Sequence, residues 1–383
     1  MERKRLLITD MDQDQIIERK DRYEGWTIVS DDGTIRPCLG CFTCWKKTPG
    51  VCVIKDGYNE MAKLLNEAEE IVYSSRFTYG GFSAFVKNVF DRSIGYVLPY
   101  FEVAEGEMHH QRRFSDIKKI TFIFRGKDLG EQERLMARQY VEAVCRNMRN
   151  EVKEVLFEEE EAEEKKYETV EGPILGKTIL LNCSIRGAKA NSEKFLRIVE
   201  EKLGSGQDHF RLAEHQHDPE RLTEEVLKAE KIVLAMPLYV DGLPSSVIRF
   251  LEQLEDKGRG RKRKVYVLAN LGLYESAQLR NLLSMIRYWC NKNEYEYCGA
   301  VCIGAGELIG TLIEHMKTGP VSTTMKALEV FSKDVASGIG MEDLGVKPFL
   351  FPRWLYILIA NLSWDRQAIA GGMKPSDLRR SPE

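Results

Sequence analysis

One pattern, met twice, constrains this chain more than any other feature: short β-branched runs alternate with amphipathic stretches of helical period, first over residues 5–157 and again over 178–303. Between the two passages runs Glu158-Glu159-Glu160-Glu161-Ala162-Glu163-Glu164, a solvated acidic stretch that reads as a linker. In the first passage Arg5–Thr9, Trp26–Ser30, Glu70–Ser74, Ile117–Phe124 and Val152–Phe157 read as strands, with helices over Tyr58–Ala68, Ser83–Ile94 and Glu131–Met148. In the second, Thr178–Asn182, His209–Leu212, Lys231–Ala235, Lys264–Ala269 and Tyr297–Ile303 are strands. The helices between them run over Asn191–Leu203, Glu220–Lys228, Pro244–Leu254 and Ser276–Lys292. Strand–helix–strand connections of this kind close right-handed over a parallel sheet, so each passage predicts a three-layer α/β domain.

Five strands per passage suit two flavodoxin-like, doubly wound parallel sheets in tandem, each binding ligands at the carboxyl ends of its strands. The expected organisation is residues 1–157, an acidic linker over 158–174, and residues 175–383 with a helical carboxy-terminal tail. Trp354, Tyr356 and Trp364 of that tail are expected to pack on the second domain or on a partner chain. A net charge of -3 over 383 residues gives no general attraction to nucleic acid or to anionic membrane. The longest apolar stretch, Phe349 to Leu362, is interrupted by Pro352, Arg353 and Asn361 and falls short of the ~20 residues of a membrane span. The first strand-like run, Leu6-Leu7-Ile8-Thr9, is too short for a signal-peptide core, so a reducing cytoplasm is the expected setting. Of nine cysteines, four fall between Cys38 and Cys52.

After the first strand of the second passage comes Asn182-Cys183-Ser184-Ile185-Arg186-Gly187-Ala188-Lys189-Ala190-Asn191-Ser192, a loop with two cations, several hydroxyl or amide donors and no carboxylate, opening a helix. Such a loop suits a phosphate dianion; its plain alternative is an ordinary turn capped by Asn191 or Ser192. Two more loops follow neighbouring strands: Met236-Pro237-Leu238-Tyr239-Val240-Asp241-Gly242-Leu243-Pro244 and Asn270-Leu271-Gly272-Leu273-Tyr274-Glu275. A ligand with a phosphate tail and a flat aromatic body fits three loops at one sheet edge, and flavin mononucleotide (FMN) has that shape. Here the chain resembles the NADPH-dependent FMN reductases. Their Gly-Ser-x-Arg and Asn-Ser pattern aligns with Ser184, Arg186, Asn191 and Ser192, with Cys183 where that family usually has Gly. The resemblance implies phosphate contacts at those four residues. It also places Pro237, Leu238, Tyr239 and Gly242, with Asn270 and Gly272 of the third loop, around the ring system.

The matching loop of the first passage, Thr9-Asp10-Met11-Asp12-Gln13-Asp14-Gln15, is built against a phosphate. Three carboxylates would face the dianion, and each pair of like unit charges at contact distance costs ~4 kcal/mol at an effective dielectric of about 20. The helix after it is expected to be cut down or lost. What this half carries instead is C-x2-C-x2-C-x7-C, Cys38, Cys41, Cys44 and Cys52. Three thiols within seven residues on a cytoplasmic loop invite oxidation unless something binds them, and this spacing suits a [4Fe–4S] cluster. Zinc and a redox disulfide are the rivals. The run Pro37 to Cys52, continued through Ser74-Ser75-Arg76-Phe77-Thr78-Tyr79-Gly80-Gly81-Phe82-Ser83-Ala84 to Lys87 and Asp91-Arg92, resembles the iron–sulfur flavoproteins. In that family one domain holds both FMN and cluster, with the flavin near a subunit interface. Here Ser75-Arg76 replaces the usual proline-containing turn.

The first half thus keeps the cysteines without the cradle, and the second the cradle without the cysteines. The implied activity is a flavin-dependent NAD(P)H oxidoreductase relaying electrons between FMN and the cluster to a small-molecule or protein acceptor, with no side-chain nucleophile and room for a homo-oligomer. The alternatives are an electron carrier without its own substrate and a non-catalytic scaffold with zinc at the cysteines. His109 and His110 read as contacts in a polar loop, Gly258 to Lys264 as a solvated basic run, and Cys145, Cys298 and Cys302 as core fillers.

Overall fold

The computed structural model describes residues 4–160, 172–258 and 262–382. The chain divides into two compact units, Met1–Glu163 with Ile357–Glu383 and Glu164–Tyr356. The acidic stretch falls largely outside the described residues, as does the middle of the basic run, residues 259–261.

The first unit runs β1 (Arg5–Thr9), α1 (Gln13–Glu18), α2 (Lys20–Tyr23), β2 (Thr27–Val29), α3 (Thr43–Lys46), α4 (Met61–Glu67), β3 (Glu70–Arg76) and α5 (Ala84–Arg92). It continues through β4 (Val97–Ala104), β5 (Glu107–Arg112), β6 (Lys119–Gly126), α6 (Glu131–Asn147) and β7 (Glu151–Glu159). Its five strands are parallel in the order β2-β1-β3-β6-β7, the flavodoxin-like arrangement. Leu6, Leu7 and Ile8 of β1 are all buried, because a central parallel strand is covered on both faces and reads as a continuous apolar run. The helix after β1 is the short one expected: six residues, then a break at Arg19.

The antiparallel hairpin β4–β5 is an insertion that polar spacing made look like a loop. It carries His109 and His110, opposite Glu102 and Phe101, so both histidines stand on a strand. Burial lowers the pKa of His110 to about 4.

The second unit runs β8 (Ile174–Asn182), α7 (Asn191–Leu203), β9 (Gln207–Arg211), α8 (Pro219–Leu227), β10 (Ala229–Pro237), α9 (Ser245–Gly258) and β11 (Lys264–Asn270). After these come α10 (Arg280–Lys292), β12 (Glu296–Ile303), α11 (Gly306–Leu312), α12 (Ser322–Ser337), β13 (Leu344–Val346) and the start of α13 (Arg353–Ala370). Its sheet has six strands where five were expected, in the order β13-β12-β11-β10-β8-β9. The addition is β13, three residues at the edge beyond β12, too short for a periodic signal. One core cluster lies between the sheet and the pair α7 and α12, where Phe195, Leu196 and Val199 meet Leu328, Phe331 and Val335. Each such side chain contributes about 1.5–3 kcal/mol on burial.

The carboxy-terminal tail departs from expectation. The division between the units falls within α13, and residues 357–383 group with the first unit. Leu98 and Tyr100 of β4 pack there with Ala368 and Leu378, and Tyr100 donates to Asp365 at 2.6 Å. Tyr356, by contrast, donates to the Gly272 carbonyl within the second unit. Arg263, assigned to the basic run as solvated, is buried: it donates to the Leu227 carbonyl at 2.6 Å and lies over the Tyr295 ring. Among the described residues, no helix is long and apolar enough to cross a membrane.

Candidate functional site

The two units share a backbone frame at the carboxyl edge of their sheets. In each, the residue two beyond the end of the first strand is held by the last side chain of that strand: Met11 N–H donates to Thr9 Oγ1 at 3.1 Å, and Ser184 N–H to Asn182 Oδ1 at 3.0 Å. In each, the strand next to it ends in the same turn. Phe77 N–H donates to the Arg125 carbonyl, and Thr78 and Gly81 exchange backbone bonds; Leu238 N–H donates to the Asn270 carbonyl, and Tyr239 and Gly242 exchange theirs. The two central residues of both turns lie in the left-handed region, Tyr79 (φ 53°) and Gly80 (φ 94°) in one, Val240 (φ 37°) and Asp241 (φ 57°) in the other. Only the first turn uses a glycine there. A β-branched residue at positive φ stores strain of order 1–3 kcal/mol, the kind of cost found at ligand-holding turns.

What differs is charge. In the first unit Asp10 receives the Arg76 N–H and is paired with Arg125, itself buried and also bonded to Glu160 at 2.6 Å. Asp12 caps α1, accepting from Gln15 N–H at 2.8 Å while Gln15 answers in a capping box. The loop therefore satisfies its own helix start and its own cation. In the second unit Cys183 takes the place of Asp10 and Asn270 that of Arg125 in this frame. The residue capping α7 is Ala190, and it makes no side-chain cap hydrogen bond. Neither Asn191 nor Ser192 is the cap: they are the first two residues of the helix. An alanine cap leaves the first-turn N–H groups without a side-chain acceptor, the condition in which a helix start takes an anion.

The sequence-predicted residues of the second unit divide into those that fit an anion and those otherwise engaged. Ser184 is buried in the loop, and its hydroxyl accepts only a long bond, 3.4 Å, from Arg186 N–H. Arg186 is exposed and pairs with Glu307 of α11 at 3.3 Å. Asn191 lies against Gly310, where a Cβ would come within 2.2 Å of its Oδ1. The Ser192 hydroxyl is buried and accepts from Asn270 Nδ2 at 2.8 Å, while the same amide donates to the Met236 carbonyl at 3.1 Å. Asn270 thus ties the three loops together, and because the Ser192 hydroxyl accepts from it, both that O–H and the Ser192 backbone N–H remain donors. Pro237, Leu238 and Tyr239 are half-buried, Gly242 is buried, and a Cβ at Gly272 would meet nothing within 4 Å. Under the loop, Glu193 is buried and accepts from Asn182, from Arg211 at 2.7 and 2.9 Å, and from Arg197. Burial opposes its ionisation, but Arg211, His209 and Asn182 outweigh that and lower its pKa.

In the first unit the cysteine segment is pinned at both ends by α5. Arg92 donates to the carbonyls of Arg36 and Ile54 and pairs with Asp56, and Asn88 donates to the Arg36 carbonyl at 3.2 Å. Lys87 and Asp91, both fully buried, pair on the same helix. Cys41 is exposed, Cys38 and Cys52 are half-buried, and Cys44 on α3 is buried; these four form no disulfide. Burial, reinforced by Asp91, pushes the Cys38 thiol up to about 12. Burial, then the charges of Cys38, Cys52 and Cys41, pushes Cys44 up as well, with Arg113 pulling the other way. Burial would lower the pKa of Arg92, but Asp56 and Cys52 beside it hold it up. Among the described residues, no three His, Cys, Asp or Glu side chains stand close enough together to hold a single metal ion. The donor chemistry suits a larger metal–thiolate centre: four unpaired, mutually coupled thiols flanked by two buried guanidiniums that offset thiolate charge.

Sequence reasoning passed over Arg113 and reached Arg92 only through a resemblance. Arg113 has no local pattern, because its partners lie far along the chain.

No protein-family model matches the chain. It shares 40% identity over 62 residues with an iron–sulfur flavoprotein of Methanocaldococcus jannaschii, 16% of this chain and 31% of that protein, so the match spans under a third of the relative's length. Three solved structures are similar over part of the chain. A flavodoxin of Streptococcus pneumoniae TIGR4 is 18% identical, covering 43% of this chain and 99% of its own, with a TM-score of 0.29. An FMN-dependent NADH-azoreductase of Bacillus anthracis is 12% identical over 43% of this chain and 100% of its own, with a TM-score of 0.29. An NAD(P)H:quinone oxidoreductase of Methanothermobacter marburgensis is 14% identical over 51% of this chain and 94% of its own, with a TM-score of 0.24.

Proposed function

We propose that this protein is an FMN-dependent NAD(P)H oxidoreductase of the iron–sulfur flavoprotein type. The second unit holds FMN, and Cys38, Cys41, Cys44 and Cys52 hold a [4Fe–4S] cluster through which electrons reach a small-molecule or protein acceptor. The observation that carries the reading is the contrast at two equivalent helix starts: α1 is capped by the Asp12 carboxylate, whereas α7 begins on Ala190 with no side-chain cap. FMN, when bound, supplies hydride acceptance from a nicotinamide and release of electrons one at a time.

The residues of the chain bind and orient. Ser184, Arg186 and the first-turn N–H groups of α7 take the phosphate, with Arg186 exchanging Glu307 for the ligand. Pro237, Leu238, Tyr239 and Gly242 flank the ring system and keep water from it, and Asn270 holds the loops in register. The iron–sulfur flavoprotein that matches part of the chain supports the cluster assignment by its name.

The test is anaerobic, iron-replete expression followed by one absorption spectrum with iron, zinc and flavin counts. Arg186→Glu is expected to release flavin and leave iron in place, and Cys41→Ser to do the reverse. Zinc with no iron, or both cofactors lost in both variants, overturns the reading. Steady-state oxidation of NAD(P)H with a small acceptor separates an enzyme from an electron carrier, which would show none.

A further inference from the structure

A buried arginine with no carboxylate partner is expensive, because its desolvation is repaid only by a nearby negative charge. Arg113 is such a residue. Its guanidinium is spent on carbonyls: Nε donates to Gly95 at 2.7 Å, and Nη1 to Leu378 at 2.9 Å and to Arg380. Nη2 reaches Val97, whose carbonyl also accepts from Trp45 Nε1, one residue from Cys44. None of its hydrogen bonds or ion pairs among the described residues is to a carboxylate. Gly95, whose carbonyl it holds, lies against the backbone of Gly50, and Gly50 N–H donates to the Cys44 carbonyl at 2.9 Å. Two of the carbonyls that fix it, those of Leu378 and Arg380, come from the carboxy-terminal tail, which closes over the same loop: Trp364 meets Phe42 at 5.8 Å and Trp45 at 5.4 Å, and Pro382 lies against Gly50.

We propose that Arg113 is a positioning residue for the four-cysteine centre, a buried counter-charge beside Cys44 that the tail carbonyls of Leu378 and Arg380 hold in place. Resting on the cluster reading above, this makes the last residues of the chain part of the centre. Four thiolates around a [4Fe–4S]2+ core carry a net charge of about -2, and one added electron makes it about -3. A fixed cation favours the more negative state, so Arg113 raises the reduction potential of the centre.

The experiment is a dithionite titration, followed by visible absorption and electron paramagnetic resonance, of the full-length protein and of Arg113→Lys and Arg113→Gln, with iron counted in each. Arg113→Lys keeps the charge and is expected to stay near the parent potential. Arg113→Gln is expected to shift to lower potential at full iron content, or to lose iron that the lysine variant keeps; either supports the proposal. An unchanged potential in Arg113→Gln with iron intact overturns it, as does equal iron loss in both variants, which would mark a packing role. Deleting residues 374–383 is expected to lower the potential in the same direction, and no shift on deletion removes the tail from the proposal. If the parent protein itself holds no iron, the cluster reading fails rather than this inference.

Discussion

Putting a side-chain acceptor where α7 lacks one tests the phosphate reading directly. Ala190 has the extended backbone of a helix cap, φ -77° and ψ 148°, so Ala190→Asp needs no backbone change to place a carboxylate over the first-turn N–H groups. In flavin-free protein a new cap of this kind stabilises by about 0.5–2 kcal/mol. For a unit of this size that raises the midpoint of thermal unfolding by roughly 2–4 °C per kcal/mol. With FMN the sign reverses. The carboxylate occupies the donors meant for the phosphate and repels it, at ~4 kcal/mol for contact at an effective dielectric of about 20. At about 1.4 kcal/mol per tenfold, affinity should fall by roughly a thousandfold.

Ala190→Ser is the control. Ala190 is 2% exposed, so the smaller, uncharged cap separates crowding from charge and should weaken FMN far less than the aspartate does. Calorimetry of the flavin-free variants and fluorescence titration with FMN give the two numbers. A stabilised aspartate variant that binds FMN as tightly as the parent would refute the reasoning, because the helix start would then be free of the phosphate.

Three further outcomes are expected. Asp10→Asn leaves the buried Arg125 facing Glu160 alone, so the first unit should lose about 3–5 kcal/mol by urea unfolding while bound flavin stays constant. Glu193 has a folded pKa below its unfolded value of about 4.3, so its stabilisation is present above that pH and is lost as pH falls through the folded pKa. Glu193→Gln should flatten the acid limb of the stability–pH curve, and an unchanged limb counts against the pairing with Arg211. Trp364→Ala removes the ring that crosses Phe42 and Trp45; for a half-buried tryptophan about 2 kcal/mol of stability should go, read as a lower denaturation midpoint.

The parts of the fold legible in the sequence are those with local causes. The bounds of α7 were read to the residue, because Phe195, Leu196, Ile198 and Val199 recur at helical spacing and Gly204 stops the run. The hairpin β4–β5 was not, since Glu102 to Gln111 is polar and its strand character comes from the cover that the tail provides. β13 was missed because three residues carry no period. At the candidate site the charge contrast between the two loops was visible in residue types alone. The engagement of Ser192 by Asn270, 78 positions away, and the seat of Arg113, more than 260 positions from Leu378, had no local signature.

The repeated frame lets one fold present two differently charged sheet edges. Turns, strand ends and their backbone hydrogen bonds are common to both units, so the frame itself commits neither to a ligand. Commitment enters through a few side chains. Asp10 with Arg125 closes the first loop upon itself, whereas Cys183 and Asn270 place no charged group at the same positions of the second. Burial pushes the Cys183 thiol up, so at neutral pH it adds no charge to that loop. Exchanging carboxylate for thiol and guanidinium for amide removes an ion pair without moving a backbone bond. The first unit carries in addition the cysteine segment, the hairpin β4–β5 and residues 357–383, none of which belongs to the second unit.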